Sequence, residues 1–226
     1  MKKIGKVVLH IPAREGSKRV PKKNLRKMNE SPMISYAIKE SLESKITKEV
    51  YVNTDSSEII SYVEKNFSKC KIYMRPAVLA SDNSSSEDFN LDIMNNLSAD
   101  TLVMINPVCP LIKSSDINNA FKKYKESDCD TLISCSSTKM QTFCGNNPVN
   151  INLNEQLAPS QKNQTVKTLN WAITIWDCKS FRKRIKSLGY AVLGDNRLLY
   201  ELDFIKSIKV SYEEDFILAE KILKYK

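Results

Sequence analysis

Apolar and polar stretches alternate along the first 136 residues of the chain. Short apolar runs, which are typical of buried strands, are each followed by a stretch whose apolar positions recur at helical spacing. Strands that alternate with helices in this way predict an α/β fold, a mostly parallel sheet with helices on both faces. The predicted strands are 7–11, 49–52, 71–74, 101–105 and 131–135, and the predicted helices are 31–44, 57–66, one starting at 84–88, and 114–126.

Start signals support two of these helices. Ser31 is expected to cap the first helix, with Pro32 at its first helical position. The run Ser-Ser-Asp at 114–116 is expected to cap the helix that follows strand 101–105. Both signals place a helix directly after an apolar run or its loop, as a parallel sheet requires.

Residues 138–168 have a different character. They are rich in Asn, Gln, Thr and Pro and contain one weak apolar segment, 149–153. Some thirty such residues are too many for a plain loop in a compact domain. They also contain too few apolar side chains to form a second, independently folded domain. Beyond them, 170–176 predicts a strand and 212–224 a final amphipathic helix. We therefore expect a single domain over 1–226 with an excursion at about 138–168.

The loop after the first predicted strand is strongly basic. Gly16-Ser17 permits close approach of the backbone, and Pro12 and Pro21 stiffen the loop ends. Basic loops at the carboxyl ends of strands are where open α/β sheets bind polyanions, so anion binding is favoured over a merely solvated loop. Its five cationic side chains are Arg14, Lys18, Arg19, Lys22 and Lys23.

The charge and hydropathy of the chain limit the classes of ligand and partner that it is expected to bind. The 226 residues carry a formal net charge of +9, which suits either a nucleic-acid backbone or small polyanions such as a nucleoside triphosphate and an acidic sugar. No aromatic-basic stacking motif accompanies the charge, so nucleic acid is the weaker interpretation. No apolar stretch reaches the roughly 20 residues that span a bilayer, and the basic start of the chain is interpreted as leading into a strand and not as a signal peptide.

The number and spacing of the cysteines and histidines limit the catalytic mechanisms and metal centres that can be expected. Six cysteines are scattered without a Cys-x-x-Cys pair, which predicts buried reduced thiols in a cytoplasmic protein. The single histidine, His10, lies in the first predicted strand, so Ser-His-Asp and Cys-His mechanisms and multi-histidine metal centres are not expected. Phosphoryl or nucleotidyl transfer, which depends on positioning and charge neutralisation, fits this composition.

Five segments resemble one protein family in order and spacing. Residues 11–24 resemble the N-terminal signature of the acylneuraminate cytidylyltransferase-like enzymes that make CMP-sugars, commonly Ile-Pro-Ala-Arg-x-Gly-Ser-Lys-Gly-x-Pro-x-Lys-Asn. The matches extend from about residue 7 to the C-terminus. The other segments are Val-Asn-Thr-Asp at 52–55, Arg-Pro at 75–76 with Leu-Ala-Ser-Asp and Ser-Ser-Ser at 79–86, Asn-Pro-Val-Cys-Pro-Leu at 106–111, and Asn-Trp-Ala-Ile at 170–173.

The resemblance implies a fold and a reaction. The fold would be a three-layer, Rossmann-like sheet of the nucleotide-diphospho-sugar transferase type. The reaction would be attack of a hydroxyl of an acidic, sialic-acid-like or related keto-sugar acid on the α-phosphate of CTP, giving a CMP-sugar for polysaccharide biosynthesis and pyrophosphate. The resemblance also implies Mg²⁺ and a homodimer in which the excursion at 138–168 is exchanged between subunits, with no nucleic-acid or membrane partner.

Site residues follow from the same resemblance. Asp55 is a candidate support of the phosphate loop, with a turn-forming aspartate as the alternative, and Ser86 could serve simply as a helix cap. The resemblance places Arg14 and Lys23 on the phosphates with Gly16, Ser17 and Lys18; Asn24, Arg75 and Ser86 around the cytosine and ribose; and Asn106, Asn170 and Thr174 towards the sugar.

The chain also departs from the family pattern. Asn106 stands where glutamine is usual, Trp171 and Arg19 replace glycines, and Thr174 stands where tyrosine is common. These changes leave the acceptor open.

The most consequential departure is the loss of an Asp-x-Asp pair that ligates Mg²⁺. Lys209 and Ser211 stand in its place. Either Lys209 supplies a metal's charge and acts catalytically, or the protein binds nucleotide or sugar without turnover. A nucleotidyltransferase with another nucleotide or acceptor is a further alternative.

Overall fold

Seven strands form the central sheet of the computed structural model, which describes residues 2–17 and 19–225. They are β1 Val7–Pro12, β2 Val50–Thr54, β3 Lys71–Met74, β4 Thr101–Ile105, β5 Thr131–Thr138, β6 Val166–Asp177 and β7 Arg197–Glu201. Six helices accompany them: α1 Met33–Ser44, α2 Ser57–Asn66, α3 Ser86–Asn96, α4 Ser114–Glu126, α5 Cys178–Leu188 and α6 Glu213–Lys224.

Smaller elements complete the structure. Two-residue strands pair as Lys27–Met28 with Ser31–Pro32 and as Phe143–Cys144 with Asn147–Pro148. Single 3₁₀ turns occupy Ala77–Ala80, Ser160–Lys162 and Ile205–Ser207. Over residues 2–17 and 19–225, no helix has the length and apolar character needed to cross a membrane.

The sheet is mostly parallel, as predicted. Its strand order is β7-β5-β6-β4-β1-β2-β3. Strand β6 alone runs antiparallel to its neighbours β4 and β5, while the other adjacent pairs are parallel. The carboxyl ends of β1, β2 and β4 therefore meet at one edge, and the loops that follow them can form one site.

Helices cover both faces, because successive side chains of a strand point to opposite sides of the sheet. From β1, Leu9 and Ile11 pack with α1, α2 and α4 in one core cluster, whereas Val8 packs with α3 and α5 in a second. Helix α6 packs through Phe216 and Ala219 on a third, smaller cluster beside the loop after β1. The predicted three-layer architecture is confirmed.

Two helix starts differ from the prediction. Helix α1 begins at Met33 with Pro32 as its N-cap, because Ser31 and Pro32 form a short strand with Lys27–Met28. Helix α6 begins at Glu213 after Tyr212, one residue later than predicted. Proline lacks a backbone N–H, so it is tolerated both as the N-cap and as the first helical residue. The presence of Pro32 therefore did not determine at which residue α1 begins.

The sequence did not predict α5 and β7. Helix α5 buries only Cys178 and Phe181, so its apolar stripe is too thin to stand out among its lysines and arginines. Strand β7 is five residues long and has charged ends, Arg197 and Glu201. Such short, partly polar segments acquire their structure from the sheet edge on which they pack.

Residues 139–165 form an arm between β5 and β6. The two strands pair up to Thr138 and Val166, where the arm leaves the sheet. Asn150 holds it together: its side-chain amide donates to the carbonyls of Met140 and Gln164, and its Oδ1 accepts from the N–H of Thr142 at 2.9 Å. The large apolar side chains of the arm are exposed, namely Met140, Phe143, Val149, Leu153 and Leu157.

Candidate active site

Two adjoining cavities lie where the carboxyl ends of β1 and β4 meet. The basic cavity, of about 560 Å³, is lined chiefly by the loop after β1 and by residues 209–211. The aromatic cavity, of about 360 Å³, includes Arg75, Phe89 and Trp171 in its wall. Both cavities share Pro12, Arg14 and Lys209 in their walls, so they lie side by side, and together they are called the groove.

The loop after β1 is held in place by Asp55 at the end of β2. The backbone N–H of Glu15 donates to Asp55 Oδ1 at 3.0 Å. This contact confirms the predicted support of the loop. Gly16 and Ser17 line the basic cavity, and Lys18 lies outside the described residues.

Cationic groups converge on the basic cavity. Lys23 donates from Nζ to the carbonyl of Val210 at 3.0 Å, which ties the loop to the segment before α6. Burial lowers the pKa of Lys23, and the charges of Arg19 and Lys209 lower it further. Three cations held this close together favour a polyanion between them.

Arg14 stands at the boundary between the cavities. Its guanidinium forms an ion pair with Asp82 at 2.9 Å and donates to the carbonyl of Ala80 at 3.3 Å. Both partners belong to the Leu-Ala-Ser-Asp segment, so the structure joins two of the sequence motifs. A phosphate that binds Arg14 would share this guanidinium with Asp82.

Arg75 is buried and hydrogen-bonded, and Asn53 is the partner that sequence reasoning missed. The Nε of Arg75 donates to Asn53 Oδ1 at 2.8 Å, and the Nη2 of Arg75 donates to the Asn53 carbonyl at 3.1 Å. The guanidinium also lies over the Phe89 ring, 4.5 Å from its centroid. Burial lowers the pKa of Arg75 to about 10. Arg75 lines the aromatic cavity, so its guanidinium is placed to meet a ligand there.

The serines at the start of α3 have different roles. Ser85 is the N-cap, because its Oγ accepts from the N–H of Asp88 at 3.2 Å and Asp88 bonds back to the Ser85 N–H. Ser86 therefore does not cap the helix, and its side chain contributes to the aromatic cavity. Asn24 lines the basic cavity and donates to the Arg14 carbonyl at 3.3 Å.

The residues predicted to face the sugar lie at different depths. Asn106 lines the aromatic cavity. Asn170 is buried at the edge of the site and hydrogen-bonded to Ser134, Ala172 and Ser207. Thr174 is fully buried within β6 between β4 and β5, and the walls of both cavities are formed by other residues. The sugar contacts of Asn170 and Thr174 stay predictions.

A buried polar pair, His10 and Asn90, lies behind the aromatic cavity, and only the position of His10 in the first strand was predicted from the sequence. His10 is fully buried, and burial, together with the charge of Arg75, lowers its pKa to about 3. Asn90, one helical turn after Ser86, is fully buried and lines the cavity. Within the described part of the chain, neither side-chain amide atom of Asn90 makes a hydrogen bond of good geometry.

A protein-bound metal does not fit these residues. Among residues 2–17 and 19–225, no group of three His, Cys, Asp or Glu side chains is placed to hold a metal ion. Lys209 and Ser211, at the positions where the family pattern has its aspartates, both line the basic cavity. An ammonium group there repels a divalent cation and attracts phosphate.

Comparisons with known proteins identify the family of the chain. The model of the family described as Cytidylyltransferase matches residues 8–218. The chain belongs to the cytidylyltransferase family. It is 27% identical to the post-translational flagellin modification protein B of Campylobacter coli, over 99% of this chain and 97% of that protein. It is 32% identical to an N-acylneuraminate cytidylyltransferase of Streptococcus agalactiae, over 59% of this chain but 33% of that enzyme.

Solved structures of the same fold include other cytidylyltransferases. A CMP:2-keto-3-deoxy-manno-octonic acid synthetase complexed with CTP superposes with a TM-score of 0.71 at 17% identity, covering 98% of this chain and 99% of that one. A 4-diphosphocytidyl-2C-methyl-D-erythritol synthase from Anaerococcus prevotii gives 0.67 at 13% identity, with 97% of both chains covered. These likenesses confirm the predicted fold class, and the family match confirms the predicted enzyme class.

Proposed function

We propose that this cytidylyltransferase activates an anionic keto-sugar acid with CTP and forms a CMP-sugar and pyrophosphate. The observation that carries the proposal is the groove, in which a cation-lined cavity adjoins a cavity with a buried arginine and aromatic walls. The relatives support the acceptor class, since they include an N-acylneuraminate cytidylyltransferase and a CMP-N,N′-diacetyllegionaminic acid synthase of Legionella pneumophila.

The groove suggests where each part of CTP binds. The triphosphate would lie in the basic cavity against Arg14, Lys23 and the backbone of Gly16-Ser17. The base would lie at Arg75 and Ser86, where a planar guanidinium can donate to the edge of cytosine. Asn24 lines the basic cavity, and the family resemblance assigns it to the cytosine and ribose.

The chemistry then needs positioning and charge neutralisation. The sugar hydroxyl oxygen forms a bond to the α-phosphorus as the bond from that phosphorus to the bridging oxygen breaks. Pyrophosphate leaves with the electron pair, and the hydroxyl proton passes to solvent. Lys23 and Lys209 face the negative charge that develops on the phosphates.

Lys209 is proposed to take over the electrostatic role of a metal. The family resemblance leads us to expect Mg²⁺ in the reaction, but the residues of this groove do not fit a protein-held ion. We infer that any Mg²⁺ arrives with the phosphates of the nucleotide and that Lys209 is the protein's own positive charge at that point.

Two variants test the role of Lys209. Lys209→Ala should lower kcat/KM for CTP by about 10- to 100-fold, the effect of one charged hydrogen bond of about 1.5–3 kcal/mol. Lys209→Asp should restore a conventional requirement for a divalent cation held by the protein, so its activity should depend more steeply on Mg²⁺ than that of the native protein. Lys221→Ala, on the far side of α6, is a matched surface control. Activity that is unaffected by both changes at Lys209 would contradict the role.

The arm is proposed to form the interface of a homodimer. Its exposed apolar side chains, Phe143, Leu153 and Leu157 among them, would be covered by a second copy of the chain. Light scattering coupled to size exclusion should give twice the chain mass of 25.8 kDa, and Leu153→Asp with Leu157→Asp should give the monomer. A cytoplasmic location is also proposed, supported by six free thiols of which only Cys144 is exposed.

Pyrophosphate release tests the proposed reaction. Each of the four nucleoside triphosphates, with Mg²⁺, is offered with N-acetylneuraminate, N,N′-diacetyllegionaminate, pseudaminate and 3-deoxy-manno-octulosonate. Release with CTP and one sugar acid is expected. Release with another nucleotide would point to a different nucleotidyltransferase. A rise in melting temperature with CTP but no release would favour a catalytically silent binding protein, the alternative that the Asp-to-Lys209 departure suggests.

A further inference from the structure

Trp171 has a backbone conformation that tryptophan rarely adopts. Its φ is +59°, in the left-handed region that glycine fills without strain. The other non-glycine residues described with positive φ are polar residues in turns or at helix ends, for example Asn29 and Lys45, which is the C-cap of α1. A tryptophan in the middle of a strand persists in this region only where its surroundings enforce it.

A wide bulge in β6 enforces this conformation. Leu169 pairs with Cys135 and Thr174 with Ile133, so four residues of β6 lie opposite the single residue Ser134. Asn170 fixes the bulge, because its Oδ1 accepts from the Ser134 hydroxyl at 2.5 Å and from the Ala172 N–H at 3.1 Å. The Ile173 N–H donates to the same hydroxyl at 2.9 Å.

The bulge carries Trp171 into the wall of the aromatic cavity. The neighbours of Trp171 place it at the end of the aromatic cavity that lies away from the proposed position of the cytosine base. The Asn106 N–H donates to the Ala172 carbonyl at 3.0 Å, so Trp171 lies beside Asn106. At the other end the Phe89 ring already lies on Arg75, 4.5 Å from the guanidinium carbon. The indole is therefore a second aromatic surface, separate from that of the base.

We propose that Trp171 is a specificity-determining residue for the acceptor. Its indole is the wall against which the nonpolar C–H face of the anionic sugar packs, an inference that rests on the proposed function. Aromatic side chains pack well on such faces, whereas a hydroxyl buried against the ring loses water without gaining a partner. Trp171 therefore selects acceptors whose substituents on that face are compact and apolar.

Three variants separate backbone strain from recognition. Trp171→Gly and Trp171→Ala both remove the indole, but only glycine relieves the positive φ. The Gly variant should therefore melt about 2 to 4 °C above the Ala variant, the reverse of their usual order. Both should raise KM for the acceptor about tenfold, and Trp171→Phe should largely preserve it. KM for CTP should stay within about twofold in all three.

Fluorescence gives a readout that needs no turnover. CMP fills the base and α-phosphate positions but has no pyrophosphate to release, so each sugar acid of the panel can be titrated into the CMP complex. The second tryptophan, Trp176, also lines the aromatic cavity, but it is buried with its Nε1 bonded to the Val192 carbonyl. The Trp171→Phe variant, which keeps Trp176, separates the two signals: quenching by the bound acceptor is expected from Trp171 and should vanish in this variant.

The outcomes distinguish this inference from the proposed function. Quenching that depends on Trp171, without pyrophosphate release, would support the acceptor wall and contradict the reaction. Turnover with an unchanged acceptor KM in both Trp171→Ala and Trp171→Gly would overturn the acceptor wall and leave the reaction standing. Neither turnover nor quenching with any of the four sugar acids would overturn both.

Discussion

The two sides of the groove differ in how their functional side chains are held. On the proposed nucleotide side, at the ends of the parallel strands β1 and β2, cationic and polar groups already have partners: Arg75 with Asn53, Arg14 with Asp82, and the loop with Asp55. On the acceptor side, the antiparallel strand β6 bulges and presents Trp171 from a strained backbone.

This difference suggests how the two specificities are encoded. The nucleotide side is a preorganised network in which each loss should weaken CTP binding. The acceptor side depends on one bulge and one large side chain, so a single substitution can change the acceptor and leave CTP recognition intact. Substitutions at Arg75, Asn170 and Asp55 test this division, and the titration of His10 tests the core behind the nucleotide side.

The largest expected effect concerns His10, which is buried behind the nucleotide side. Its pKa is about 3 in the folded protein against 6.5 for an ordinary histidine. The unfolded chain therefore binds a proton that the folded protein does not, and stability falls as the pH drops from 6.5. The loss should reach about 4 to 5 kcal/mol near pH 3 and about 2 to 3 kcal/mol at pH 4.5.

Urea unfolding at pH 7 and pH 4.5 measures this dependence. His10→Gln cannot titrate in this range and serves as the matched control, so its loss of stability between the two pH values should be smaller by about 2 to 3 kcal/mol. Equal acid sensitivity in both proteins would contradict a neutral, buried His10.

Arg75→Ala should break the nucleotide side most directly. It removes the base-side guanidinium and leaves the buried Asn53 Oδ1 without its donor. We expect kcat/KM for CTP to fall about 100-fold, with the acceptor KM little changed. Arg75→Lys should not rescue activity, because an ammonium group lacks the planar fork. A Lys variant as active as the native protein would show that charge alone is needed at this position.

Asn170→Ala should break the acceptor side. It removes the hydrogen bonds to Ser134, Ala172 and Ser207 that fix the bulge, at a cost of about 2 kcal/mol or about 4 to 8 °C in Tm. The acceptor KM should rise while the Kd for CTP, measured by calorimetry, stays within about threefold. A larger effect on CTP than on the acceptor would contradict the division of the groove.

Asp55→Ala is the mildest test of the nucleotide side. It removes the acceptor of the Glu15 N–H, a hydrogen bond of about 1 kcal/mol, so CTP binding should weaken about fivefold. Asp55→Asn keeps an oxygen in place and should lose less. Calorimetry with CTP compares the two variants, and identical losses would mean that charge, and not the hydrogen bond, matters at Asp55.

The sequence predicted the bounds of the elements better than the contacts within the candidate site. Several elements agree with their predicted bounds, including α2, β3, β4 and α4, because each combines a clear apolar period with clear ends. The support of the loop by Asp55 was also predicted. The partners Asn53 and Asp82 were not, because a hydrogen bond between distant residues leaves no mark on spacing.

On the acceptor side, β6 was predicted without its antiparallel direction and without its bulge. The departure at Trp171 was visible as a replaced glycine, but its positive φ depends on pairing between β6 and β5 far along the chain. Thr174 was expected near the sugar, and the same register places it in the interior of the sheet. Local patterns do not determine register at an irregular strand.

Phosphorus NMR of the complete reaction tests the central claim most directly. The protein is incubated with CTP, Mg²⁺ and each sugar acid, and the spectrum is followed with time. With one acceptor, we expect the three CTP resonances to be replaced by a phosphodiester resonance and a pyrophosphate resonance of twice its area, because the two products form in equal molar amounts. CTP that persists with every acceptor, or that decays to CDP and phosphate, would contradict it.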